Sequence, residues 1–254
     1  MTERASKQPH DPATGSGAES GSGTDGGRAP VIAIDGPSGT GKGTIAAGLA
    51  RDLGWHVLDS GALYRCIGLA AERAGLDLDN ADAVGDLARR VEIRFDSDRV
   101  LLDGDDVSSE IRTAAGGVRA SRVAVHPPVR SALLKLQRAA VRPPGLIADG
   151  RDMGSNVFPD AVLKIYLDAS PEERAKRRYK QLKEKGLDAN LADLVKELRE
   201  RDALDRGREH SPLVVADGAV IIDSTDLSIE QVLARALSEA GRALGAARAD
   251  AGQE

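Results

Sequence analysis

The stretch from residue 31 to residue 44 constrains this chain most, because an apolar strand, a glycine-rich loop and the start of a helix follow one another there. Gly36 is followed by four residues and then by Gly41 and Lys42, which is the spacing of a P-loop. Small residues in such a loop let backbone N–H groups surround phosphate oxygens, and the N-terminus of the helix adds a positive dipole. The pattern predicts that a nucleoside triphosphate binds through Gly36, Pro37, Ser38, Gly39, Thr40, Gly41, Lys42, Gly43 and Thr44.

The position after the P-loop lysine departs from the usual pattern. Most P-loops carry Ser or Thr there, and its hydroxyl binds Mg²⁺ directly, whereas this chain has Gly43 and brings the hydroxyl one residue later, at Thr44. Further along, a short apolar segment ends in Asp149, as in P-loop proteins where a carboxylate at a strand end holds Mg²⁺ or its waters. We therefore expect Mg²⁺ near Thr44 and Asp149, with contact through water.

The composition narrows the class of partner. A net charge of -5 and an aromatic content of 2% disfavour a nucleic-acid surface, which combines basic and aromatic side chains, and they also disfavour an anionic membrane surface. The single cysteine, Cys66, excludes an internal disulfide and fits a reducing compartment. The chain has neither a long apolar run nor the apolar segment of a signal peptide. We expect a cytoplasmic protein that binds neither nucleic acid nor a membrane.

Two terminal segments differ from the rest of the chain. Residues 1–29 are rich in Gly, Ser, Thr and Asp and have no large apolar residue after Met1, so we expect a disordered tail. Residues 30–246 are expected to form a single domain, and 247–254 are expected to fray.

Apolar segments near residues 31, 55, 146, 162 and 219 are each followed by a helical pattern. This alternation predicts an α/β fold with about five parallel strands. Residues 91–102 alternate apolar and charged side chains around turn signals, which predicts a small antiparallel insert. Residues 108–113 and the glycines at 116 and 117 predict a connection after it, and Ser170 and Ser228 predict capped helix starts. The polar stretch 179–190, with Gly186 in it, predicts a mobile flap.

A set of arginines lies in segments that could reach the C-terminal ends of these strands. Arg174 and Arg178 share one helical face and repel each other, so an anion is needed to offset them. One triphosphate does not require so many cations, and two phosphorylated ligands are typical of phosphoryl transfer between nucleotides. The set consists of Arg65, Arg130, Arg151, Arg174, Arg178, Arg201 and Arg208.

Four motifs in this order make the chain resemble the bacterial cytidylate kinases, which are P-loop nucleoside monophosphate kinases that phosphorylate CMP and dCMP with ATP. The resemblance runs from Val31 to about Leu237 and includes the insert at 91–118, which is similar to the enlarged acceptor-binding region of the bacterial enzymes. The motifs occupy residues 34–44, 58–65, 148–154 and 200–208.

The resemblance implies a P-loop kinase fold with a core at about 30–75 and 145–246, an acceptor-binding region at 60–145 and a lid at 179–190. It also implies ATP and Mg²⁺ as cofactors, CMP or dCMP as the acceptor, and a monomer. In the family, Lys42 would bridge to the transferred group, and Ser60 and Arg65 would bind the acceptor, with Arg65 on its phosphate.

The remaining roles also come from the resemblance. A carboxylate can accept a hydrogen bond from the exocyclic amine of cytosine, whereas uracil has a carbonyl there. The implied cytosine-reading residues are Ser121, Arg130 and Asp152; the phosphate and ribose contacts are Arg151, Arg201 and Asp205; and the residues that stabilise charge at the transferred group are Arg174, Arg178 and Arg208.

Three alternatives remain open on the sequence. A kinase of another small acceptor, such as shikimate or gluconate, would share the P-loop but would not need the cytosine-reading residues. A non-enzymatic P-loop switch is disfavoured because the chain has no Asn-Lys-X-Asp guanine motif. A nucleic-acid-binding module is disfavoured by the composition.

Overall fold

The computed structural model of the protein describes residues 29–96, 99–184 and 186–251. The predicted disordered tail, 1–29, therefore falls outside the described residues except for Ala29. In chain order the elements are β1 (Val31–Asp35), α1 (Lys42–Leu53), β2 (His56–Asp59), α2 (Ser60–Arg73), α3 (Ala81–Ala88), β3 (Ile93–Asp96), β4 (Arg99–Leu102), β5 (Asp105–Asp106), α4 (Ser108–Ile111), α5 (Ala114–Val123), α6 (Pro127–Ala139), β6 (Leu146–Gly150), a π-helical turn (Met153–Val157), β7 (Leu163–Asp168), α7 (Pro171–Glu184), α8 (Leu191–Arg206), β8 (Val220–Asp223) and α9 (Ile229–Ala251).

The main sheet has five parallel strands in the order β2-β6-β1-β7-β8. In its register, Ile34 of β1 lies beside Asp149 of β6 on one side and Ile165 of β7 on the other. The prediction of about five parallel strands is confirmed. Because the strands run in the same direction, their C-terminal ends meet at one edge, and the loop after the central strand β1 opens there.

Successive side chains of β1 point to opposite faces of the sheet, and both faces are covered. Ile32 and Ile34 are fully buried in a cluster with apolar side chains of α1 and α9. Val31 and Ala33 belong to a second cluster, which includes residues of α2, α5 and α6. The strand that precedes the phosphate loop is therefore enclosed on both faces, which fixes the position of the loop.

The insert is a separate antiparallel sheet in the order β3-β4-β5, so it has one short strand more than the sequence predicts. It packs on α2, where Leu69, Leu102 and Ile111 are almost fully buried. Cys66 of α2 lies in the same cluster, and burial raises the pKa of its thiol to about 12.

The segment after the insert differs from the sequence-based expectation. The sequence predicts a connection over residues 108–117, because glycines disfavour a helix, but these residues contribute to α4 and α5. Thr113 caps α5, since its hydroxyl accepts a hydrogen bond from the backbone N–H of Gly116 at 3.1 Å. Tertiary packing against α2 overrides the weak local propensity.

Two predicted helix starts have the expected caps. The hydroxyl of Ser170 accepts from the backbone N–H of Glu173 at 3.2 Å, next to α7. Ser228 and Gln231 form a reciprocal pair at α9: the Ser228 hydroxyl accepts from the backbone N–H of Gln231 at 3.3 Å, and the Gln231 side chain accepts from that of Ser228 at 2.8 Å. The last helix continues to Ala251, and residues 252–254 of the expected frayed end, 247–254, lie outside the described residues.

The predicted lid, 179–190, is only partly a loop. Residues 179–184 belong to α7, and residues 186–190 form the described part of the connection to α8. Ala175, Leu194 and Leu198 join the two helices in a small apolar cluster of their own. Among the described residues, no helix is long and apolar enough to cross a membrane.

Candidate active site

An inner cavity of about 300 Å³ opens at the C-terminal edge of the main sheet. It brings together most of the residues that the sequence singles out, although they come from segments far apart in the chain. Those that line it are Ser38, Gly39, Gly41, Lys42, Gly43, Thr44, Ser60, Arg65, Ser121, Arg130, Asp149, Arg151, Asp152, Arg201, Asp205 and Arg208.

An outer cavity of about 1050 Å³ adjoins the same loop and extends between α5, α7, α8 and the start of α9. It is lined by Thr40, Arg174 and Arg178, three further residues that the sequence singles out, and by apolar side chains that include Ile45 and Ile229. The two cavities adjoin each other: Ser38, Gly39, Gly41 and Thr44 of the glycine-rich loop line both of them, and so do Arg65, Arg201 and Arg208.

Gly36 and Pro37 line neither cavity, and they shape the loop from behind. Gly36 has a φ of 147°, and a Cβ at this position would lie 2.0 Å from the carbonyl oxygen of Leu167. Gly41, at the start of α1, has a φ of 93°. Only glycine adopts these conformations without strain, so the loop can curve closely around an anion.

Lys42 is buried, and its ammonium group donates a hydrogen bond to the carbonyl oxygen of Pro37 at 2.7 Å. Burial, together with repulsion from Arg151, lowers the pKa of Lys42 to about 7. The Lys42 side chain therefore contacts its own loop. Phosphate oxygens bound nearby would raise its pKa and favour the charged ammonium form.

Asp149 and Thr44 both line the inner cavity, close to the first turn of α1. Burial raises the pKa of Asp149 to about 6, against the opposing effect of Lys42. Asp59 lies beside Asp149 in the sheet register and caps α2 through the backbone N–H of Ala62 at 3.0 Å.

The donor set suits Mg²⁺ shared with a nucleotide. The described residues hold no cluster of three His, Cys, Asp or Glu side chains arranged for a metal ion. The Asp149 carboxylate and the Thr44 hydroxyl are hard oxygen donors, and Mg²⁺ usually keeps several waters and takes other oxygens from phosphates. These two residues could hold the ion directly or through water.

Asp205 organises two of the arginines. Its carboxylate accepts from Nε of Arg151 at 2.9 Å and from Nη2 of Arg208. Burial favours the neutral form of Asp205, but Arg151 and Arg208 outweigh it and lower the pKa of the carboxyl. Asp205 therefore holds guanidinium groups in the cavity wall.

Part of this arginine cluster lacks hydrogen-bond partners. The Nε atoms of Arg201 and Arg208 are buried, and no described residue accepts from them. Burial and the charge of Arg151 lower the pKa of Arg201 to about 10. Burying positively charged N–H donors without acceptors costs free energy, so this cluster of arginines is suited to binding an anion.

Arg65 reaches the same place from α2. Its Nη1 donates to the carbonyl oxygens of Ile111 at 2.6 Å and Thr113 at 3.3 Å, which anchors it to the end of the insert. Gly117 of α5 lies against this group: a Cβ there would be 3.3 Å from Nη1 of Arg201 and 3.6 Å from Nη2 of Arg65.

The residues expected to read a base, Ser121, Arg130 and Asp152, all line the inner cavity. Arg130 and Asp152 form a buried ion pair, and the guanidinium of Arg130 lies 5.7 Å from the ring centre of Tyr64. The hydroxyl of Ser121 donates to the carbonyl oxygen of Gly117 at 3.1 Å. Arg130, Asp152 and Tyr64 supply a guanidinium, a carboxylate and an aromatic ring, a combination that suits a planar polar group.

Two arginines from α7 have other partners. Arg174 is 1% exposed and forms a two-point ion pair with Asp202 of α8, and it also donates to the carbonyl oxygen of Ser38 at 2.9 Å. Arg178 pairs with Glu197 at 2.8 Å. The anionic groups that offset these two charges are therefore carboxylates of α8.

Asp35 and Arg177 join separate parts of the site, and the sequence did not single them out as site residues. Asp35 ends β1 and accepts from the backbone N–H groups of Met153 and Gly154, each at 2.8 Å. Arg177 donates to the carbonyl oxygens of Thr40 at 3.3 Å and Ser224. An apolar strand that ends in aspartate is the signal that indicated Asp149, and it applies equally to Asp35.

Comparison with known proteins extends over the same elements. The family model described as cytidylate kinase matches residues 32–242. The chain is similar to a cytidylate kinase of Photobacterium profundum, with 53% identity over 220 residues that cover 85% of this chain and 96% of the relative. A cytidylate kinase of Edwardsiella ictaluri is 55% identical over 219 residues, which cover 85% of this chain and 97% of the relative. Among solved structures, a gluconokinase from Sinorhizobium meliloti 1021 is 14% identical, with a TM-score of 0.44, over 84% of this chain and 92% of that one.

Proposed function

This chain belongs to the cytidylate kinase family, and from that premise we propose how its two cavities divide the work of a (d)CMP kinase. Such an enzyme transfers the terminal phosphoryl group of ATP to CMP or dCMP and releases ADP with CDP or dCDP. Family membership does not favour the alternatives, a kinase of another small acceptor or a non-enzymatic switch.

ATP would enter from the outer cavity, with its phosphates against the glycine-rich loop. The apolar side chains near Ile45 and Ile229 suit the adenine ring, and the backbone N–H groups of the loop suit the phosphate oxygens. Lys42 would leave the carbonyl oxygen of Pro37 and bind the transferred group. Thr44 and Asp149 would hold Mg²⁺, which would supply positive charge to the ATP phosphates when bound.

The acceptor monophosphate would occupy the arginine cluster of the inner cavity. The observation that carries this proposal is the group of buried guanidinium donors without partners, at Arg201 and Arg208, beside the phosphate loop. Arg65 and Arg151 add charge at the same place. Asp205 would keep Arg151 and Arg208 in position and reach the ribose.

The base would lie between Tyr64, Ser121 and the pair formed by Arg130 and Asp152. Asp152 would accept a hydrogen bond from the exocyclic amine of cytosine, and Arg130 would donate to its carbonyl oxygen or ring nitrogen. Uracil would place a carbonyl oxygen against the carboxylate, so it should bind less well.

The transfer step needs no catalytic base. The second pKa of a phosphate monoester is near 6, so its attacking oxygen is ionised at neutral pH. The protein therefore contributes positioning and electrostatic stabilisation, and each well-placed arginine can be worth several powers of ten in rate, roughly 10³ to 10⁵. Closure of the lid, residues 179–190, would exclude water, which would otherwise accept the phosphoryl group.

The decisive experiment measures ADP release from Mg-ATP in parallel with CMP, dCMP, UMP, AMP or no acceptor. We expect strong turnover with CMP and dCMP alone. Comparable turnover with UMP would keep the kinase but remove the base-reading role from Asp152, and ADP release that needs no acceptor would leave an ATPase.

Three further properties remain predictions. The family resemblance implies the division into a core, an acceptor-binding region and a lid, and mobility measurements on the lid would test it. A monomer is expected, and light scattering on the purified protein would test the oligomeric state. The cytoplasmic location is testable by cell fractionation.

A further inference from the structure

The carboxylate of Asp152 is held asymmetrically. Nη2 of Arg130 and Nδ2 of Asn156 both donate to Oδ2, the latter at 3.0 Å. The described residues make no other hydrogen bond to this carboxylate, and Asp152 lines the inner cavity, so Oδ1 is the oxygen available to a base. The side chain that the proposed function assigns to cytosine recognition is therefore oriented from two sides.

Asn156 is itself fixed at several points. It belongs to the π-helical turn after β6, and its backbone N–H donates to the carbonyl oxygen of Asp152 at 3.0 Å. Its side-chain amide has two N–H groups, and the second one donates to the hydroxyl of Ser211 at 3.2 Å. One residue thus binds both the backbone and the carboxylate of Asp152.

Ser211 comes from a distant loop, between α8 and β8, and its backbone is unusual. Its φ of 52° lies in the left-handed region, which residues other than glycine seldom adopt. Strained conformations of this kind occur most often where a side chain has a defined position to fill. Here the side chain meets the amide of Asn156.

We propose that Asn156 is a positioning residue that sets the preference for cytosine over uracil by acting through Asp152. The amide N–H of Asn156 stabilises the ionised carboxylate of Asp152, which can only accept hydrogen bonds. It also restrains rotation of the carboxylate about the Cβ–Cγ bond. Oδ1 then points at the amine of cytosine. This inference rests on the proposed function, because it requires that Asp152 reads the base.

The competing explanation is an exposed asparagine that merely stabilises a turn. Such a role would affect the folding free energy and leave the choice of base unchanged. A positioning role would change the Michaelis constant for CMP and the ratio of CMP to UMP use, while the Michaelis constant for ATP stays constant.

The test compares Asn156→Val, Asn156→Asp and Ser211→Ala with the control Ser155→Ala, an exposed neighbour on the same turn. We would measure kcat/KM for CMP and for UMP at saturating Mg-ATP, the KM for ATP and the urea midpoint of unfolding. For Asn156→Val we expect the CMP/UMP ratio to fall about three- to tenfold, which is the effect of losing one hydrogen bond of ordinary net strength at an exposed side chain.

The other variants should change the CMP/UMP ratio to different extents. Asn156→Asp should lower the ratio further, because it places a second negative charge beside Asp152. Ser211→Ala should lower it less, since the first hydrogen bond remains, and Ser155→Ala should leave it unchanged.

Asp152→Asn separates the two levels of the proposal. If Asp152→Asn lowers the ratio but Asn156→Val and Asn156→Asp do not, the inference is wrong and the proposed function survives. If none of the three changes the ratio, the base-reading role of Asp152 fails as well. If Asn156→Val unfolds, Asn156→Asp and Ser211→Ala decide, and a constant ratio in both would overturn the inference.

Discussion

Arg174 of α7 and Asp202 of α8 form a two-point ion pair that is almost completely buried, with Nη1 of Arg174 3.0 Å from Oδ1 of Asp202. Since Arg174 also donates to the carbonyl oxygen of Ser38 at 2.9 Å, the pair connects α7 and α8 to the phosphate loop. Removing one partner from a buried pair leaves an uncompensated charge, which typically costs about 3–5 kcal/mol.

The first prediction is therefore that Arg174→Ala and Asp202→Ala each lower the free energy of unfolding by about 3–5 kcal/mol, as measured by urea denaturation. Arg178→Ala is the matched control, because its pair with Glu197 is partly exposed and should be worth less than about 1 kcal/mol. A stable Arg174→Ala protein with greatly reduced turnover would contradict this and would support the catalytic role that the family resemblance implies for Arg174.

The second prediction concerns protons taken up with ATP. In the free protein the pKa of Lys42 is lowered to about 7, so above this pH the lysine is mostly neutral. Bound phosphates should raise the pKa again, so that ATP binding at an alkaline pH, well above the lowered pKa, takes up close to one proton and ATP affinity falls as the pH rises.

Titration calorimetry in two buffers of different ionisation enthalpy would measure this uptake. Lys42→Arg is the control, because arginine stays charged and should bind ATP without the proton. Lys42→Ala should remove nearly all transfer while the protein stays folded. Equal heats in both buffers for the unsubstituted protein would contradict the proposed protonation change.

The third prediction separates folding from binding at Gly117. Alanine is favoured over glycine inside a helix by roughly 0.5–1 kcal/mol, so Gly117→Ala should not destabilise the fold. Its Cβ, however, would lie 3.3 Å from Nη1 of Arg201. It should therefore displace the guanidinium groups of Arg201 and Arg65, which we propose bind the acceptor phosphate.

We expect the KM for CMP to rise about three- to tenfold, as for one weakened charged hydrogen bond, with little change in the KM for ATP. Gly241→Ala in α9 is a suitable control, because a Cβ there meets open space. If Gly117→Ala leaves the KM for CMP at its normal value, the arginines have another route to the phosphate.

The fourth prediction is that Asp35→Asn weakens the connection between the phosphate loop and the π-helical turn Met153–Val157, which follows Asp152. The carboxylate accepts from two backbone N–H groups, at Met153 and Gly154, and an amide has only one oxygen to offer them. The KM for CMP should rise more than the KM for ATP.

The pH dependence of stability gives this substitution a second readout. Burial raises the pKa of Asp35 from 3.8 to about 6, so between these two values the native chain holds a proton that the unfolded chain has released. The unsubstituted protein should lose stability as the pH rises through this window, and the Asp35→Asn variant should lose less. Parallel curves for the two proteins would show that Asp35 does not titrate in this range.

The phosphate loop and the sheet could be predicted because their signals are local. The spacing of Gly36, Gly41 and Lys42 indicates the loop by itself, and parallel strands bring their C-terminal ends together whatever the exact sequence. Residues around the inner cavity followed from this rule combined with the family resemblance.

Partners across the fold could not be predicted from spacing. Arg174 lies 28 positions from Asp202, and nothing in the pattern of charges tells which carboxylate on another helix it meets. Two glycines at 116 and 117 indicate a connection because glycine disfavours a helix, yet Gly116 and Gly117 are there because backbone and guanidinium groups approach closely. Both differences arise from tertiary contacts that override local preference.

Cys66 gives this fold a practical advantage for experiments on motion. It is the chain's single cysteine and is fully buried. Burial raises the pKa of its thiol to about 12, so the thiol stays protonated and should not react with alkylating reagents. A fluorophore or spin label attached through Leu187→Cys, at an exposed position between α7 and α8, would then be the only label on the molecule. The proposed opening and closing of the lid could then be tested in real time without first removing a native thiol.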